Sequence, residues 1–219
     1  MRKPPLPLGP AVADGEGLVE VQQARTIYDN FVRTDTYKLR TRKFDGLWSE
    51  PYERHVLSTG ESGHAAAALL YDPARDVVVL IEQFRIINYL NQRPSAWNLE
   101  IVAGLIAAGD TPLDTIRREI AEESGRTAKR IEPIALFTSS PGVFTEMIHM
   151  FIAEVEAGLA GEVHGLAAEH ENIRVHVLSY ADALKLADEG WIDDAKTLLA
   201  LNWFARKHEA IRHRWLNEK

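Results

Sequence analysis

The chain has 219 residues, of which 46% are hydrophobic and 26% are charged, and its formal net charge is −7. This composition is ordinary for a globular protein, and the length suits one core domain plus an appendage. The acidic balance, with no basic run longer than residues 40–43, argues against a nucleic-acid partner, and the absence of cysteine excludes a disulfide framework. No apolar run approaches the roughly 18–20 residues of a membrane span, so no membrane partner is expected. Residues 1–10 are proline-rich without the apolar core of a secretory signal, which predicts an extended arm and a cytoplasmic location.

Residues 18–58 alternate β-branched, aromatic and polar side chains over short stretches, which predicts a small antiparallel sheet. Asp45 and Gly46 form a typical hairpin signal. A sheet of this size makes no core of its own, so it should pack on something. We therefore divide the chain into an N-terminal arm and sheet, 1–58, and a main domain, 59–219. The predicted strands of the first part are 18–21, 26–28, 31–32, 36–39, 40–44 and 52–57.

The main domain mixes strands and helices. Two continuous apolar runs flank a turn at 72–76 and predict strands buried on both faces. Residues 157–172 show no clear period and predict a long mobile loop, a kind of segment that is often functional. The predicted strands are 64–71, 77–81, 97–102, 131–137, 147–155 and 173–178; the predicted C-terminal helices are 180–189 and 195–213, the second burying Leu198, Leu199, Leu201, Trp203 and Phe204.

Residues 103–126 predict a loop, a helix and a second loop. Thr111 is a good N-cap, Pro112 suits the first helical position, and Asp114 stands where a capping box needs an acid. Gly125 is a typical residue just beyond a helix end. The predicted buried face of this helix consists of Leu113, Ile116, Ile120 and Ala121.

Three acids of this helix share one side, because Glu119, Glu122 and Glu123 are spaced i, i+3 and i+4. Like charges at this spacing are destabilising, by roughly 0.2–0.5 kcal/mol per pair, unless a cation lies among them. Mg²⁺ binds one or two carboxylates together with substrate phosphates. The alternative is a solvated acidic face that Arg117 and Arg118 partly neutralise.

The stretch resembles the Nudix box, the loop-helix-loop motif of the Nudix hydrolases. Seven positions match in register, and two depart from the motif. Asp110 replaces a glutamate and is one methylene shorter, so we expect any ion pair that it makes to be altered. Arg126 replaces an aliphatic residue, and we expect it to weaken the packing after the helix. The matching positions are Gly104, Arg118, Glu119, Ile120, Glu122, Glu123 and Gly125.

The resemblance extends beyond the box, to the ADP-ribose pyrophosphatases of this superfamily. It implies an α/β (α+β) fold, the Nudix α/β/α sandwich with a mixed sheet, to which the small N-terminal antiparallel sheet is added. It also implies a homodimer in which that sheet is exchanged between protomers. The stretches that carry this resemblance are 71–85, 97–104, 140–142, 164–177 and 190–193.

The activity implied by this resemblance is the Mg²⁺-dependent hydrolysis of a nucleoside diphosphate sugar, with Mn²⁺ as the alternative metal. ADP-ribose, giving AMP and ribose 5-phosphate, is the first choice of substrate. GDP-mannose or a dinucleotide is the alternative within the same class. A Nudix module that binds ADP-ribose without cleaving it is the alternative of another class, and the retained box glutamates favour the enzyme.

The resemblance also implies roles for individual residues. The metal would be held by the Ala103 carbonyl and by Glu119 and Glu123, with Glu122 as a ligand or a supporting group. Arg118 would orient the neighbouring glutamates. On the loop, Glu171, followed by Glu169, would act as the general base or complete a metal site, because a carboxylate arriving on a loop can take the proton of the attacking water. An ordinary charged loop is the alternative.

Further residues are candidates for contacts with the substrate. Arg85 would grip the diphosphate, for which a guanidinium is geometrically suited; a surface arginine is the alternative. Glu146 matches a substrate contact of the family, with an exposed strand residue as the alternative. Tyr28 and Phe31 would stack on adenine, or else pack in a core. Arg54 would reach phosphate or ribose across the dimer.

Overall fold

The computed structural model describes residues 17–60 and 62–218, which form two compact units. Of the described residues, 17–60 and 139–146 belong to the first unit, and 62–138 and 147–218 belong to the second. Residues 139–146 therefore group with the N-terminal sheet, although the sequence analysis places them within the main domain. The proline-rich arm predicted for residues 1–10 lies outside the described residues.

The first unit is an antiparallel sheet, as predicted, but it has three strands where the sequence predicts six shorter ones. Its strands are longer than predicted: β1 (Val19–Asp29), β2 (Val32–Thr41) and β3 (Tyr52–Thr59). The turn at Asp45–Gly46 is confirmed, with Gly46 at φ +82° and its N–H donating to the Lys43 carbonyl over 2.9 Å. Residues 139–146 join this unit through Leu57, whose N–H donates to the Val143 carbonyl over 2.8 Å.

The second unit contains an eight-stranded mixed sheet. Six strands follow the order β10-β11-β5-β4-β9-β8, while β6 pairs with β5 and β7 pairs with β4. The β4–β9 pair is parallel and the other pairs are antiparallel. The strands are β4 (Ala65–Asp72), β5 (Val77–Phe84), β6 (Trp97–Glu100), β7 (Val102–Leu105), β8 (Arg130–Thr138), β9 (Met147–Glu154), β10 (Val163–His164) and β11 (Ile173–Ser179).

Helices cover both faces of this sheet, which confirms the predicted α/β/α sandwich. Alternate residues of β4 face opposite sides, and every residue from 66 to 71 is fully buried. Ala66, Ala68 and Leu70 cluster with Ile116 and Ile120 of α2 on one side. On the other side, Ala67, Leu69 and Tyr71 cluster with Ala183, Leu201 and Phe204. The helices are α1 (Ile86–Leu90), α2 (Pro112–Ser124), α3 (Tyr180–Asp188), α4 (Ala195–Ala205) and α5 (His208–Asn217); within the described residues, none is long and apolar enough to cross a membrane.

The prediction of one helix over 195–213 is wrong, because residues 206–207 are not helical and separate α4 from α5. His208 then begins α5, with its Nε2 2.6 Å from an Asp76 carboxylate oxygen and 3.2 Å from the Tyr71 hydroxyl. Leu201 and Phe204 are buried and Leu198 and Trp203 are partly buried, as predicted, but Leu199 is 38% exposed. Contacts distant in sequence therefore set the helix break.

The segment 157–172, predicted as a loop without secondary structure, contains β10 and a 3₁₀ turn at Ala167–Glu169. The two residues of β10 pair with β11, and Gly161 donates its N–H to the Val175 carbonyl over 2.8 Å. The segment is therefore joined to the edge of the sheet at two points.

Candidate functional site

Local interactions fix both ends of α2, as the sequence predicts. The Thr111 hydroxyl accepts the Asp114 N–H, and the Asp114 carboxylate accepts the Thr111 N–H, each over 3.2 Å, which completes the capping box. Gly125 ends the helix at φ +66°, and its N–H donates to the Ala121 carbonyl over 3.0 Å. The two helix ends thus determine where the acidic residues lie along α2.

The buried face of α2 differs from the predicted one, because it includes two of the acids. Ile116 and Ile120 are fully buried as predicted, but Leu113 is 42% exposed and Ala121 is exposed. Glu119 and Glu123 occupy the buried face instead, at 9% and 2% exposure. Residues at i, i+3 and i+4 share a face, so these two carboxylates lie beside the isoleucines. A solvated acidic face therefore does not describe Glu119 and Glu123.

Backbone atoms of strand β7 contact the two carboxylates. The Ala103 N–H donates to Glu123 Oε2 over 3.0 Å. At Gly104, an added Cβ would overlap the Glu119 carboxylate. The motif glycine is therefore needed because the Glu119 side chain fills the space that any other side chain would take.

The two buried carboxylates carry charge that the protein compensates incompletely. Burial raises the pKa of Glu123 to about 8; the Ala103 N–H lowers it, while the charges of Glu119 and Glu171 raise it further. Burial also raises the pKa of Glu119, with Arg118 acting against it and Glu122 and Glu171 adding to it. A group that brings positive charge to this place would stabilise the ionised forms.

Arg118 lies between two of the acids on the surface of α2. Its Nη2 is 2.7 Å from Glu119 Oε1, and its Nη1 donates to Glu122 Oε2 over 2.6 Å. The Arg118 guanidinium thus holds two motif carboxylates at once, an arrangement that suits the predicted orienting role.

The donors present fit a divalent cation in their chemistry, since they are carboxylate and carbonyl oxygens. Within 17–60 and 62–218, however, no three histidine, aspartate or glutamate side chains converge as a ligand group. The acids bond to protein donors instead: Glu123 to the Ala103 N–H, Glu119 and Glu122 to Arg118, and Glu171 to the Leu166 N–H. These bonds use one oxygen of each carboxylate and leave the other available to a cation.

A second buried carboxylate, Glu100 of β6, has the opposite electrostatic character. Arg85 binds it through two bonds, Nε to Oε1 over 2.7 Å and Nη2 to Oε2 over 2.9 Å. Lys196 Nζ lies 2.5 Å from Oε2 and 3.0 Å from an Asp194 oxygen. Burial alone would raise the pKa of Glu100, but Arg85 and Lys196 outweigh it and hold the pKa at about 2.

Arg85 is thus placed by a carboxylate and is not an isolated surface arginine. The bonds to Glu100 raise the pKa of Arg85, and the Glu123 charge contributes to the same increase. Sequence reasoning did not assign a role to Glu100 or Lys196. A single lysine two residues after a helix N-cap has no sequence signal that would reveal its carboxylate partner.

The segment that carries Glu171 and Glu169 is bonded to α2. Gly165 donates its N–H to the Glu122 carbonyl over 3.1 Å, and Glu171 Oε2 accepts the Leu166 N–H over 3.0 Å. Glu171 is half-buried, whereas Glu169 is exposed. These two bonds bring Glu171 toward the acids of α2, and its charge contributes to the raised pKa values of Glu119 and Glu123.

Four predicted substrate residues, Tyr28, Phe31, Arg54 and Glu146, belong to the first compact unit. Tyr28 and Phe31 are 56% and 70% exposed, which argues against their alternative role in a core. The Arg54 guanidinium is exposed and lies 4.4 Å from the centre of the Tyr52 ring. Glu146 is half-buried, and its carbonyl accepts the Ser139 N–H over 3.3 Å.

Comparison with known proteins gives consistent matches. The NUDIX domain family model matches residues 62–201. The chain is 42% identical over 204 residues to an ADP-ribose pyrophosphatase of Escherichia coli K12, covering 93% of this chain and 96% of the relative. It is 38% identical over 186 residues to a GDP-mannose pyrophosphatase of Cronobacter sakazakii, covering 84% and 93%. A solved structure described as an ADP compounds hydrolase shares the fold, with a TM-score of 0.64, 16% identity and coverage of 89% and 96%.

Replacing Glu123 by glutamine tests the candidate metal site. Glu123→Gln keeps the shape and an acceptor for the Ala103 N–H but removes one charge. Mg²⁺ binding measured by calorimetry should weaken at least about tenfold, the lower end of the loss expected for groups that support a metal site. Thermal stability without metal should hold or rise, because glutamine neither has to be desolvated as an anion nor has to take up a proton on folding.

The matched control is Glu156→Gln, the same chemical change at a carboxylate that is 81% exposed. It should leave Mg²⁺ binding unchanged. Wild-type Mg²⁺ affinity in Glu123→Gln would remove Glu123 from the candidate metal site.

Proposed function

The chain belongs to the Nudix family, and we propose that it hydrolyses the diphosphate of ADP-ribose to give AMP and ribose 5-phosphate. The observation that carries the hydrolase is the pair of buried carboxylates on α2, Glu119 and Glu123, with pKa values raised by burial. A binding module needs no such pair, because recognising a diphosphate calls for cations and donors and not for buried anions. ADP-ribose is supported by the names of the relatives that match most of the chain.

Mg²⁺ is the proposed metal, with Mn²⁺ as the alternative. Glu119, Glu123 and the Ala103 carbonyl would hold it, with Glu122 as a further ligand or a supporting group. When bound, such an ion neutralises charge on phosphoryl oxygens and lowers the pKa of water. Arg118 would keep Glu119 and Glu122 oriented through the two contacts that it makes with them.

Arg85 is proposed to bind the diphosphate. Its Nε and Nη2 are fixed by Glu100, and its side chain remains 41% exposed. A guanidinium fixed along one edge can present its remaining donors without losing much freedom when it binds. Lys196 supports this arrangement by sharing Glu100 with Arg85.

Glu171 is proposed to accept the proton of the attacking water or to complete the metal site. It is the acid of the loop that interacts electrostatically with Glu119 and Glu123. Its Oε2 accepts the Leu166 N–H, which orients the carboxylate. Glu169 is the second candidate, and it is exposed.

Four residues are proposed to contact the nucleoside and the terminal sugar. Tyr28 and Phe31 present aromatic rings that are more than half exposed, as stacking on adenine requires. Arg54 and Glu146 would contact phosphate or ribose and the remaining polar groups of the substrate.

A homodimer is part of this proposal. Strand β1 is an edge strand, and exposed apolar side chains on β1 and the following turn support a covering partner. These side chains are at least 50% exposed: Val19, Val21, Ile27, Tyr28 and Phe31. An exchanged N-terminal sheet would bury Val19, Val21 and Ile27 in a second copy of the chain, while Tyr28 and Phe31 would remain available to the substrate.

A substrate panel tests the proposed activity. The kcat/KM for ADP-ribose in Mg²⁺ should exceed that for GDP-mannose at least about tenfold, a difference of ~1.4 kcal/mol in transition-state binding. ADP-glucose, NADH and a diadenosine polyphosphate complete the panel, and an assay with chelator is the control. Faster hydrolysis of GDP-mannose or NADH would contradict ADP-ribose but not the hydrolase, whereas binding without turnover would favour the non-catalytic module.

If Glu171 is the general base, replacing it should change kcat more than KM. Glu171→Gln should lower kcat by about 10²–10⁴-fold, the usual range for a general base, with a smaller effect on KM. Glu169→Gln is the matched variant on the same segment and should stay closer to wild type. If Glu171→Gln keeps the wild-type kcat, the base lies elsewhere, with Glu169 and Glu146 next to be tested.

Assembly can be tested by light scattering on the intact chain. We expect twice the mass of the chain at micromolar concentration, because the apolar side chains of β1 would be covered. Deleting residues 1–58 should abolish the dimer. A monomer with full activity would contradict the exchanged sheet.

A further inference from the structure

Arg126, two residues after the last residue of α2, is buried and bonded to a distant segment. Only 9% of it is exposed. Its Nε donates to the Ala157 carbonyl over 2.8 Å, and its Nη2 donates to the Leu159 carbonyl over 2.9 Å and to Glu162 Oε2 over 2.5 Å. The expectation that Arg126 weakens the packing after the helix is therefore wrong, because this guanidinium holds together a segment more than thirty residues away.

The segment is shaped around this guanidinium. Gly158 has φ +64°, and a Cβ added there would lie 2.7 Å from Cζ of Arg126. Arg75 donates to the Gly158 carbonyl over 2.8 Å. The backbone of this segment therefore curls around the Arg126 side chain and directs the carbonyls of Ala157 and Leu159 at it.

Residues 157–162 lead directly to the part of the chain that carries Glu169 and Glu171. The Glu162 carbonyl accepts the Val175 N–H over 2.9 Å, and β10 begins at the next residue. His164 packs on Gly125, where an added Cβ would overlap the imidazole. Gly165 then bonds to the Glu122 carbonyl, and Leu166 bonds to the Glu171 carboxylate.

We propose that Arg126 is a positioning residue for the hydrolysis: by fixing residues 157–162 to the end of α2, it sets where Glu171 stands relative to Glu119 and Glu123. This inference rests on the proposed function. An aliphatic residue, which the motif has at this position, offers no donor to the carbonyls of Ala157 and Leu159. The planar guanidinium supplies several donors in a fixed geometry and satisfies three acceptors at once.

The expected consequence is kinetic. Small displacements of a catalytic group are costly, and about 1 Å can cost 10²-fold in rate. Arg126→Leu should lower kcat for ADP-ribose at least about tenfold with KM within about twofold, because Arg85 and the candidate metal ligands remain. Arg126→Lys keeps the charge but cannot reproduce the fork of donors, so its kcat should lie between wild type and Arg126→Leu.

Hydrogen exchange without substrate gives an independent measurement. Peptides that cover 163–171 report the N–H groups of Gly165 and Leu166, which bond to the Glu122 carbonyl and to Glu171. Their exchange should accelerate at least about tenfold in Arg126→Leu. Arg214→Leu is the matched control, since Arg214 makes two bonds to Glu132, of 2.7 and 2.6 Å, between α5 and β8. It should lower thermal stability and leave both kcat and the exchange of 163–171 unchanged.

Each outcome is decisive. The proposal is supported if kcat falls with KM retained and exchange over 163–171 accelerates in Arg126→Leu but not in Arg214→Leu. It is overturned if Arg126→Leu keeps kcat within about twofold of wild type, or if exchange over 163–171 does not change. If Arg126→Leu does not fold, Arg126→Lys decides, and wild-type kcat and exchange in that variant overturn the proposal. If the wild-type chain does not hydrolyse ADP-ribose, the proposed function fails, while the exchange measurement still decides whether Arg126 positions the segment.

Discussion

The burial of two carboxylates on the core-facing side of α2 is the constraint on which the rest of the site depends. Glu119 and Glu123 lie on the same face as Ile116 and Ile120, so the packing that stabilises the helix also removes the acids from water. Desolvating a carboxylate is costly unless a bond or an opposite charge compensates it. The N–H of Ala103 and the guanidinium of Arg118 compensate it only in part, and the pKa values of both acids remain raised.

The second unit also contains Glu100, a buried carboxylate whose charge is compensated and which can be compared with Glu123. Glu100 is as buried as Glu123, at 1% and 2% exposure, yet its pKa is about 2 while that of Glu123 is about 8. The difference lies in the partners: Glu100 has Arg85 and Lys196, and Glu123 has one backbone N–H. Because the folded-state pKa of Glu100 is depressed, its ion pairs stabilise the fold at neutral pH, and this contribution fades as pH falls from its ordinary value of 4.5 toward 2. Glu100 is thus compensated by two cationic side chains, whereas Glu123 has only one backbone N–H.

The parts of this structure that the sequence predicts are those with local causes. The ends of α2 follow from a capping box and a glycine, and the two central strands follow from continuous apolar runs. The break between α4 and α5 has no such signal: Lys207 makes no side-chain cap, and the position of His208 depends on Tyr71 and Asp76. The same holds for the bonds of Arg126 to the Ala157 carbonyl and of Lys196 to Glu100, which span 31 and 96 residues. Hydrophobic spacing alone also predicts the wrong buried face for α2, because it counts only apolar residues as core, whereas Glu119 and Glu123 are buried.

Substrate choice cannot come from the groups proposed to act on the diphosphate. These are Arg85, Glu171 and the acids of α2, with Arg54 as a further candidate for phosphate or ribose. A diphosphate is common to ADP-ribose and GDP-mannose, so these groups cannot distinguish the two substrates. Stacking on Tyr28 or Phe31 would accept any base, since every base has a π-face. Discrimination must therefore come from polar groups directed at base edges or at the terminal sugar, where an unpaired buried donor or acceptor is costly. Arg54 and Glu146 are the polar candidates that the first unit offers, and substitutions there should change the ratio of substrates more than the rate of the chemical step.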